Sequence, residues 1–173
     1  LSLQALDLKP GDEILIPANT FIATAIGVYH LGGIPVPVDI EPESFLMDLK
    51  DAEKKISPRT KGIIINSPSN PTGGVWSDEA VLKILELAEK ADAWVFSDEC
   101  YEQLTYDRTY VSTAFLGENT EKVLTFQSCS KTYAMTGWRI GYTAGNAKVI
   151  KAMGKLQGQS TSCPNSIAQA AAI

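Results

Sequence analysis

The sequence is poor in the residues that build metal centres and disulfide frameworks. It has a single histidine, His30, and three cysteines, Cys100, Cys129 and Cys163, that lie far apart in 173 residues. One histidine is too few for a zinc site, which takes four histidine, cysteine or carboxylate ligands at short spacings. An odd, scattered set of cysteines argues against disulfides and favours a reducing compartment. We therefore expect no metal and a cytoplasmic protein.

Long apolar runs and clusters of basic charge are also missing. No stretch approaches the roughly 20 apolar residues that a membrane-spanning helix needs, and the chain opens without the charged start of a signal peptide. Lys and Arg number 15 against 20 Asp and Glu, a net charge of −5, and the basic residues are scattered. These features predict no membrane partner and no nucleic-acid partner.

The composition is that of one globular domain, with 45% hydrophobic and 20% charged residues. Leu1 falls within an apparent helix, and residues 170–173 stop inside an apolar helical pattern. We therefore expect the chain to be part of a longer protein.

Short apolar strands alternate with helices along the chain, which predicts an α/β domain with three α/β/α layers and a mainly parallel sheet. We expect Thr20 and Ser77 to cap helices, and the helix after Ser77 to bury a stripe of Val81, Ile84, Leu85 and Ala88. Two prolines in residues 34–38 favour an edge strand. The predicted strands are 13–17, 34–38, 62–66, 93–98, 122–127 and 139–144; the predicted helices are 2–8, 20–30, 48–56, one from Ser77, 146–159 and one from Pro164.

Asn70, Asp98 and Lys131 each follow a predicted strand. Ligands of parallel sheets lie beyond the carboxyl ends of the strands. We therefore expect these three residues, distant in sequence, to line one crevice.

Residues 128–142 combine the groups that a covalently held, phosphate-bearing cofactor requires. Lys131 follows an apolar run, with the hydroxyls of Ser128 and Ser130 beside it and Arg139 eight residues on. A lysine that forms an imine needs a confined site, because desolvation favours the neutral amine. Hydroxyls and an arginine suit an anionic phosphate group. The pattern predicts that Lys131 carries pyridoxal phosphate (PLP).

Four other residues suit the PLP ring. A carboxylate such as Asp98 keeps the ring nitrogen protonated, because an opposite charge favours the ionised form. Tyr101 and Asn70 can donate to the ring oxygen, and Phe21 can stack on the ring. Each residue alone more commonly has a structural role, as a loop acid, a packed aromatic or a turn residue. The prediction therefore depends on their combination.

The combination resembles the class I and II aminotransferases of the aspartate aminotransferase superfamily, which are PLP enzymes of fold type I. Four segments carry the resemblance: Asn-Pro-Thr-Gly at 70–73, Asp-Glu-Cys-Tyr at 98–101, Ser-Cys-Ser-Lys at 128–131 and Gly-Trp-Arg at 137–139. It implies that Lys131 forms the Schiff base and moves a proton at the substrate's α-carbon. It further implies that Asp98 pairs with the ring nitrogen, that Asn70 and Tyr101 hydrogen-bond the ring oxygen, that Ser128, Ser130 and Arg139 hold the phosphate, and that Phe21 stacks on the ring.

The resemblance also has implications for the whole protein. Residues 1–173 would be the central part of the PLP-binding large domain, with an N-terminal segment and a C-terminal small domain outside them. The protein would be a homodimer whose substrates are an amino acid and a 2-oxo acid.

Other functions share this pattern of residues. A carbon–sulfur lyase or an aminocyclopropane-synthase-like enzyme would use the same cofactor residues, and the opening of residues 17–25 is similar to sugar aminotransferases of the same fold type. Outside enzymology, the fold can serve as the ligand-sensing domain of a transcription regulator, although no basic cluster supports that reading.

Overall fold

A computed structural model describes residues 1–173 and contains one six-stranded sheet in the order β2-β1-β3-β4-β5-β6. All neighbouring strands are parallel except β5 and β6, which are antiparallel. Strand β2, which contains the two prolines, lies at the edge as the sequence predicts. The strands are β1 (Glu13–Pro17), β2 (Ile34–Val38), β3 (Thr60–Asn66), β4 (Trp94–Asp98), β5 (Val123–Ser128) and β6 (Gly141–Gly145).

Helices cover both faces of the sheet. None of the eight α-helices combines the length and the apolar character of a membrane-spanning segment. The helices are α1 (Ser2–Ala5), α2 (Ala23–Tyr29), α3 (Leu49–Lys55), α4 (Asp78–Lys90), α5 (Thr113–Leu116), α6 (Cys129–Thr132), α7 (Ala147–Ser160) and α8 (Ser166–Ala171), with a 3-10 helix at Thr136–Trp138.

The sheet separates two apolar cores. Successive side chains of a strand point to opposite faces, so Leu15 of β1 packs in one core while Ile14 and Ile16 pack in the other. Helices α3 and α4 cover the first core, and α1, α2 and α7 cover the second. The predicted three-layer α/β fold with a mainly parallel sheet is confirmed.

Helix α4 begins as the sequence predicts. The Ser77 hydroxyl oxygen accepts a hydrogen bond from Ala80 N at 3.2 Å, which satisfies one of the free amides of the first turn. The buried stripe differs by one residue: it contains Leu87 with Val81, Ile84 and Ala88, and the predicted member Leu85 is only partly buried. Leu85 lies at the border of the stripe, where it packs against the core from the side.

Three other local predictions are wrong. Helix α1 ends at Ala5 and not at residue 8, because Asp7 takes φ 58°, a left-handed conformation that cannot continue the helix. Thr20 does not cap α2: Ile22 occupies the N-cap position with helical backbone angles, and the Thr20 hydroxyl instead lies 3.2 Å from that of Thr24. Strand β6 begins at Gly141 and not at Arg139. Arg139 follows the 3-10 helix with φ 52° and ψ 50°, a left-handed conformation that cannot continue an extended strand.

Candidate active site

A cavity of about 710 Å³ lies beyond the carboxyl ends of β3, β4 and β5. Strand β3 ends at Asn66, β4 at Asp98 and β5 at Ser128, and these three residues all line the cavity. Helix α2 contributes another part of the wall through Thr24 and Gly27. Six of the eight predicted site residues line the cavity: Phe21, Asn70, Asp98, Tyr101, Ser128 and Lys131.

Asp98 is held at the end of β4 by its own backbone. Its carbonyl oxygen accepts hydrogen bonds from Ser67 N at 3.0 Å and from Asn66 Nδ2 at 3.1 Å, both at the end of the neighbouring strand. Phe96, two residues earlier on the same face of β4, also lines the cavity. One carboxylate oxygen accepts from Cys100 N at 3.3 Å. The sheet therefore fixes where this carboxylate enters the cavity.

Asn70 lies in the loop between β3 and α4. Its backbone N donates to Asn66 Oδ1 at 2.7 Å, which ties the loop to the end of β3. Gly73 takes φ 74°, a conformation that favours glycine, and its N donates to Ser69 O at 2.7 Å. These bonds hold Asn70 at the cavity, where its Nδ2 lies 3.5 Å from the Tyr101 hydroxyl, at the outer limit of a hydrogen bond.

Lys131 reaches the cavity from α6, directly after β5. Its ammonium nitrogen lies 5.3 Å from the centroid of the Tyr101 ring, which is the range of a cation–π contact. At the start of α6 the Ser128 hydroxyl oxygen accepts from Ser130 N at 3.3 Å. The strand end thus places a hydroxyl and an amine three residues apart on one wall.

The two other predicted phosphate-binding residues do not line the cavity. Ser130 is half-buried in α6. Arg139 is exposed, and its Nη1 donates to Thr136 O at 2.9 Å within the same turn. Their contact with a phosphate stays a prediction.

Cys100 lines the cavity, although the sequence predicts no role for it. It lies between Asp98 and Tyr101 in the Asp-Glu-Cys-Tyr segment at 98–101, and this position could have indicated that Cys100 lines the cavity. Burial raises the pKa of the Cys100 thiol to about 12, and the charge of Asp98 acts in the same direction. Because the thiolate is the nucleophilic form, this thiol is a weak nucleophile at neutral pH.

Gln127 also lines the cavity and was not predicted. Its Nε2 donates to the Glu102 carboxylate, while its buried Oε1 has no hydrogen-bond partner. Phe126 and Ser128, on either side of it in β5, line the cavity too. Strand alternation predicts that the residue between them points to the other face of the sheet. The sequence therefore carries no signal that Gln127 reaches the cavity.

The residues present fit PLP. The cavity volume falls within the roughly 300–1,000 Å³ that small-molecule sites occupy. One wall brings together an amine, a carboxylate, a phenol and an amide, which match the aldehyde, ring nitrogen and ring oxygen of the cofactor. Of the three residues predicted to bind the phosphate, Ser128 lies on the cavity wall.

The fold is that of solved aminotransferase structures. The structure of an aromatic aminotransferase from Pyrococcus horikoshii OT3 matches 99% of this chain with a TM-score of 0.94 and 38% identity, over 46% of its own length. An aspartate aminotransferase from Thermus thermophilus with maleate matches 97% of the chain with a TM-score of 0.91 and 39% identity, over 44% of its length.

Sequence comparison gives the family. The family described as aminotransferase class I and II matches residues 1–173, and the chain belongs to it. A probable aspartate/prephenate aminotransferase from Thermus aquaticus is 41% identical over 167 residues, covering 96% of this chain and 43% of that protein. An aspartate/prephenate aminotransferase from Cereibacter sphaeroides is 43% identical over 170 residues, covering 96% and 42%. The resemblance inferred from four motifs is confirmed, and the chain spans less than half the length of these relatives.

Proposed function

We propose that residues 1–173 are the central part of the PLP-binding large domain of an aminotransferase. The parent protein would transfer an amino group from an α-amino acid to a 2-oxo acid. The observation that carries the proposal is the placement of Lys131, Asp98, Tyr101 and Asn70 on the wall of one cavity at the carboxyl ends of parallel strands. Membership of the class I and II aminotransferases supports it.

Four cavity residues would act on the ring and the aldehyde of the cofactor in this proposal. When bound, PLP supplies an electron sink for the bonds at the substrate's α-carbon. Lys131 would hold the cofactor through its amine and move the proton at that carbon. Asp98 would keep the ring nitrogen protonated, because its negative charge favours the cationic form. Tyr101 and Asn70 would donate hydrogen bonds to the ring oxygen.

The remaining predicted residues would bind the other parts of the cofactor. Ser128 lies on the cavity wall and would donate to the phosphate, together with Ser130 and Arg139. Phe21 is 63% exposed at the cavity, so its ring is free to stack on the cofactor. Arg139 would bind the phosphate through its other guanidinium N–H groups, since only Nη1 donates to the Thr136 carbonyl.

The properties of the whole protein are also part of the proposal. We infer a cytoplasmic homodimer in amino-acid biosynthesis, with an N-terminal segment and a small C-terminal domain outside residues 1–173. Relatives are named for aspartate and prephenate, and one structural neighbour for aromatic amino acids. Aspartate as the amino donor with prephenate as the 2-oxo acid acceptor is therefore the first substrate pair to assay, and an aromatic amino acid is the second donor.

The first experiment locates the cofactor. The chain and the whole protein are each incubated with PLP, reduced with borohydride and digested, and the modified peptide is identified by mass. A phosphopyridoxyl group on Lys131 is the expected result in the whole protein. An adduct there but none on residues 1–173 alone would mean that the site needs the other parts of the protein, and no adduct in either would refute the proposal.

The second experiment tests the reaction. Lys131→Ala in the whole protein should abolish amino transfer, whereas Lys148→Ala, which removes an exposed lysine of α7, should leave it unchanged. Normal amino transfer by the Lys131→Ala protein would refute the assignment. Pyruvate and ammonia released from a cysteine conjugate without any 2-oxo acid acceptor would instead identify a lyase.

A further inference from the structure

Glu99 is a fully buried acid beside the cavity, and none of the roles above uses it. Its side chain is 0% exposed and has no lysine or arginine partner. One carboxyl oxygen accepts from Ser97 Oγ at 2.8 Å and from Thr113 N at 3.1 Å, and the other has no hydrogen-bond partner. A buried acid of this kind is costly to fold, because it loses its hydration without gaining an opposite charge.

The surroundings of Glu99 favour its neutral form. Burial raises the pKa of the Glu99 carboxyl, and the hydrogen bonds that it accepts offset this only in part. The two hydrogen bonds that one of its oxygens accepts hold the carboxyl in place in either form.

The backbone of Glu99 fixes the chain between Asp98 and Tyr101. Its N donates to Phe126 O at 2.9 Å, which continues the pairing of β4 with β5 beyond Asp98. Its carbonyl oxygen accepts from Glu102 N at 3.0 Å, which closes the turn that carries Tyr101. Asp98 directly precedes Glu99 in the chain and Tyr101 follows it by two residues, and both line the cavity.

The side chain anchors this junction from the other face of the sheet. Ser97 and Glu99, two residues apart, point away from the cavity into a buried polar group that includes Thr113 at the start of α5. The Ser97 and Thr113 hydroxyls lie 2.8 Å apart and complete the group. The end of β4 is therefore held on one side by a carboxyl group while it presents Asp98 on the other.

We propose that Glu99 is a positioning residue for the cofactor site: its buried carboxyl fixes the junction from which Asp98 and Tyr101 extend into the cavity. This inference rests on the proposed PLP function. It assigns Glu99 no contact with the cofactor, since Glu99 is not on the cavity wall.

Two substitutions in the whole protein separate the hydrogen-bonding role from charge. Glu99→Gln keeps the oxygen that accepts from Ser97 and Thr113, matches the acid in size and cannot carry its charge. Glu99→Ala removes the acceptor and leaves the buried Thr113 N–H unpaired, which is the costly case for a buried hydrogen bond. The Ser97 hydroxyl then keeps only its contact with the hydroxyl of Thr113. Glu13→Ala is the matched control, because Glu13 is also a buried acid but lies at the amino end of β1, away from the cavity.

The readouts are the dissociation constant for PLP, the position of its visible absorbance band and the thermal midpoint of the apoprotein. We expect Glu99→Ala to bind PLP at least about tenfold more weakly with a shifted band, and Glu99→Gln to match the wild type. Glu13→Ala should lower the thermal midpoint without changing PLP affinity or the band.

Three results would count against the inference. Glu99→Ala with wild-type affinity and spectrum, in a wild-type protein that does bind PLP, would overturn this inference alone. Glu99→Gln as defective as Glu99→Ala would also overturn it, because the accepting oxygen would then not be sufficient. A wild-type protein that takes up no PLP would overturn the proposed function together with it.

Discussion

The ammonium nitrogen of Lys131 lies 5.3 Å from the centroid of the Tyr101 ring, although 30 residues separate them in the sequence. Lys131 follows β5 and Tyr101 follows β4, and these strands are parallel neighbours. The contact therefore depends on strand order. It also lets the ring and the hydroxyl of Tyr101 be tested separately.

Tyr101→Phe keeps the ring beside Lys131 and removes only the hydroxyl. We expect PLP still to attach to Lys131, because the ring contact remains. The pH at which the visible band of the bound cofactor changes should rise, because a donor that stabilises the ring-oxygen anion is lost. A spectrophotometric pH titration of the whole protein measures this.

The control for that titration is Tyr106→Phe, which removes the hydroxyl of a tyrosine that is 88% exposed. Its titration should superimpose on that of the wild type. An unchanged titration in Tyr101→Phe as well would mean that Tyr101 does not donate to the cofactor.

Asp98→Asn replaces the cavity carboxylate by an amide of the same shape. Without a negative charge beside it, the ring nitrogen loses the group that favours its protonated form. We expect the rate of amino transfer to fall by at least ~10²-fold, the usual size of losing one preorganised electrostatic contact. Steady-state kinetics on the whole protein check this, and Asp107→Asn, at an exposed loop position, should have wild-type rates.

The strands and the cavity were largely predictable from the sequence, because both follow from local patterns. Continuous apolar runs such as residues 62–66 predict strands that are buried on both faces, and parallel strands place their carboxyl ends together. Asn70, Asp98 and Lys131 line one cavity for that reason.

What the sequence did not predict depends on tertiary contacts or on short turns. The start of β6 was misplaced because the left-handed backbone at Arg139 has no signature in a non-glycine residue. Thr20 has the chemistry of an N-cap, yet the chain is already helical at Ile22. The environment of Glu99 comes from Thr113, which is distant in sequence, so its burial could not be foreseen.

The packing of α4 on the sheet can be tested with one substitution on each of its faces. Ile84 is 1% exposed in the core, and Leu82, on the same helix, is 46% exposed. Ile84→Ala should lower the free energy of unfolding by about 2–5 kcal/mol, because it leaves a cavity in a packed core. Chemical denaturation of the whole protein measures the change, and Leu82→Ala should cost clearly less. Equal losses from both substitutions would contradict the described packing.

Glu13 gives the fold a pH dependence at the amino end of β1. Hydrogen bonding from Ser57, together with that from Arg59 and its charge, holds the pKa of the Glu13 carboxyl below its usual value, against the opposing effect of burial. An acid with a lowered pKa stabilises the fold fully above its unfolded-state pKa, near 4.3, and this contribution disappears as the pH falls through the folded-state pKa. Glu13→Gln should therefore be less stable than the wild type at pH 7, and the difference should shrink as the pH falls below about 4. Urea denaturation at several pH values checks this, and a difference that stays constant from pH 7 to pH 3 would mean that the charge of Glu13 does not stabilise the fold.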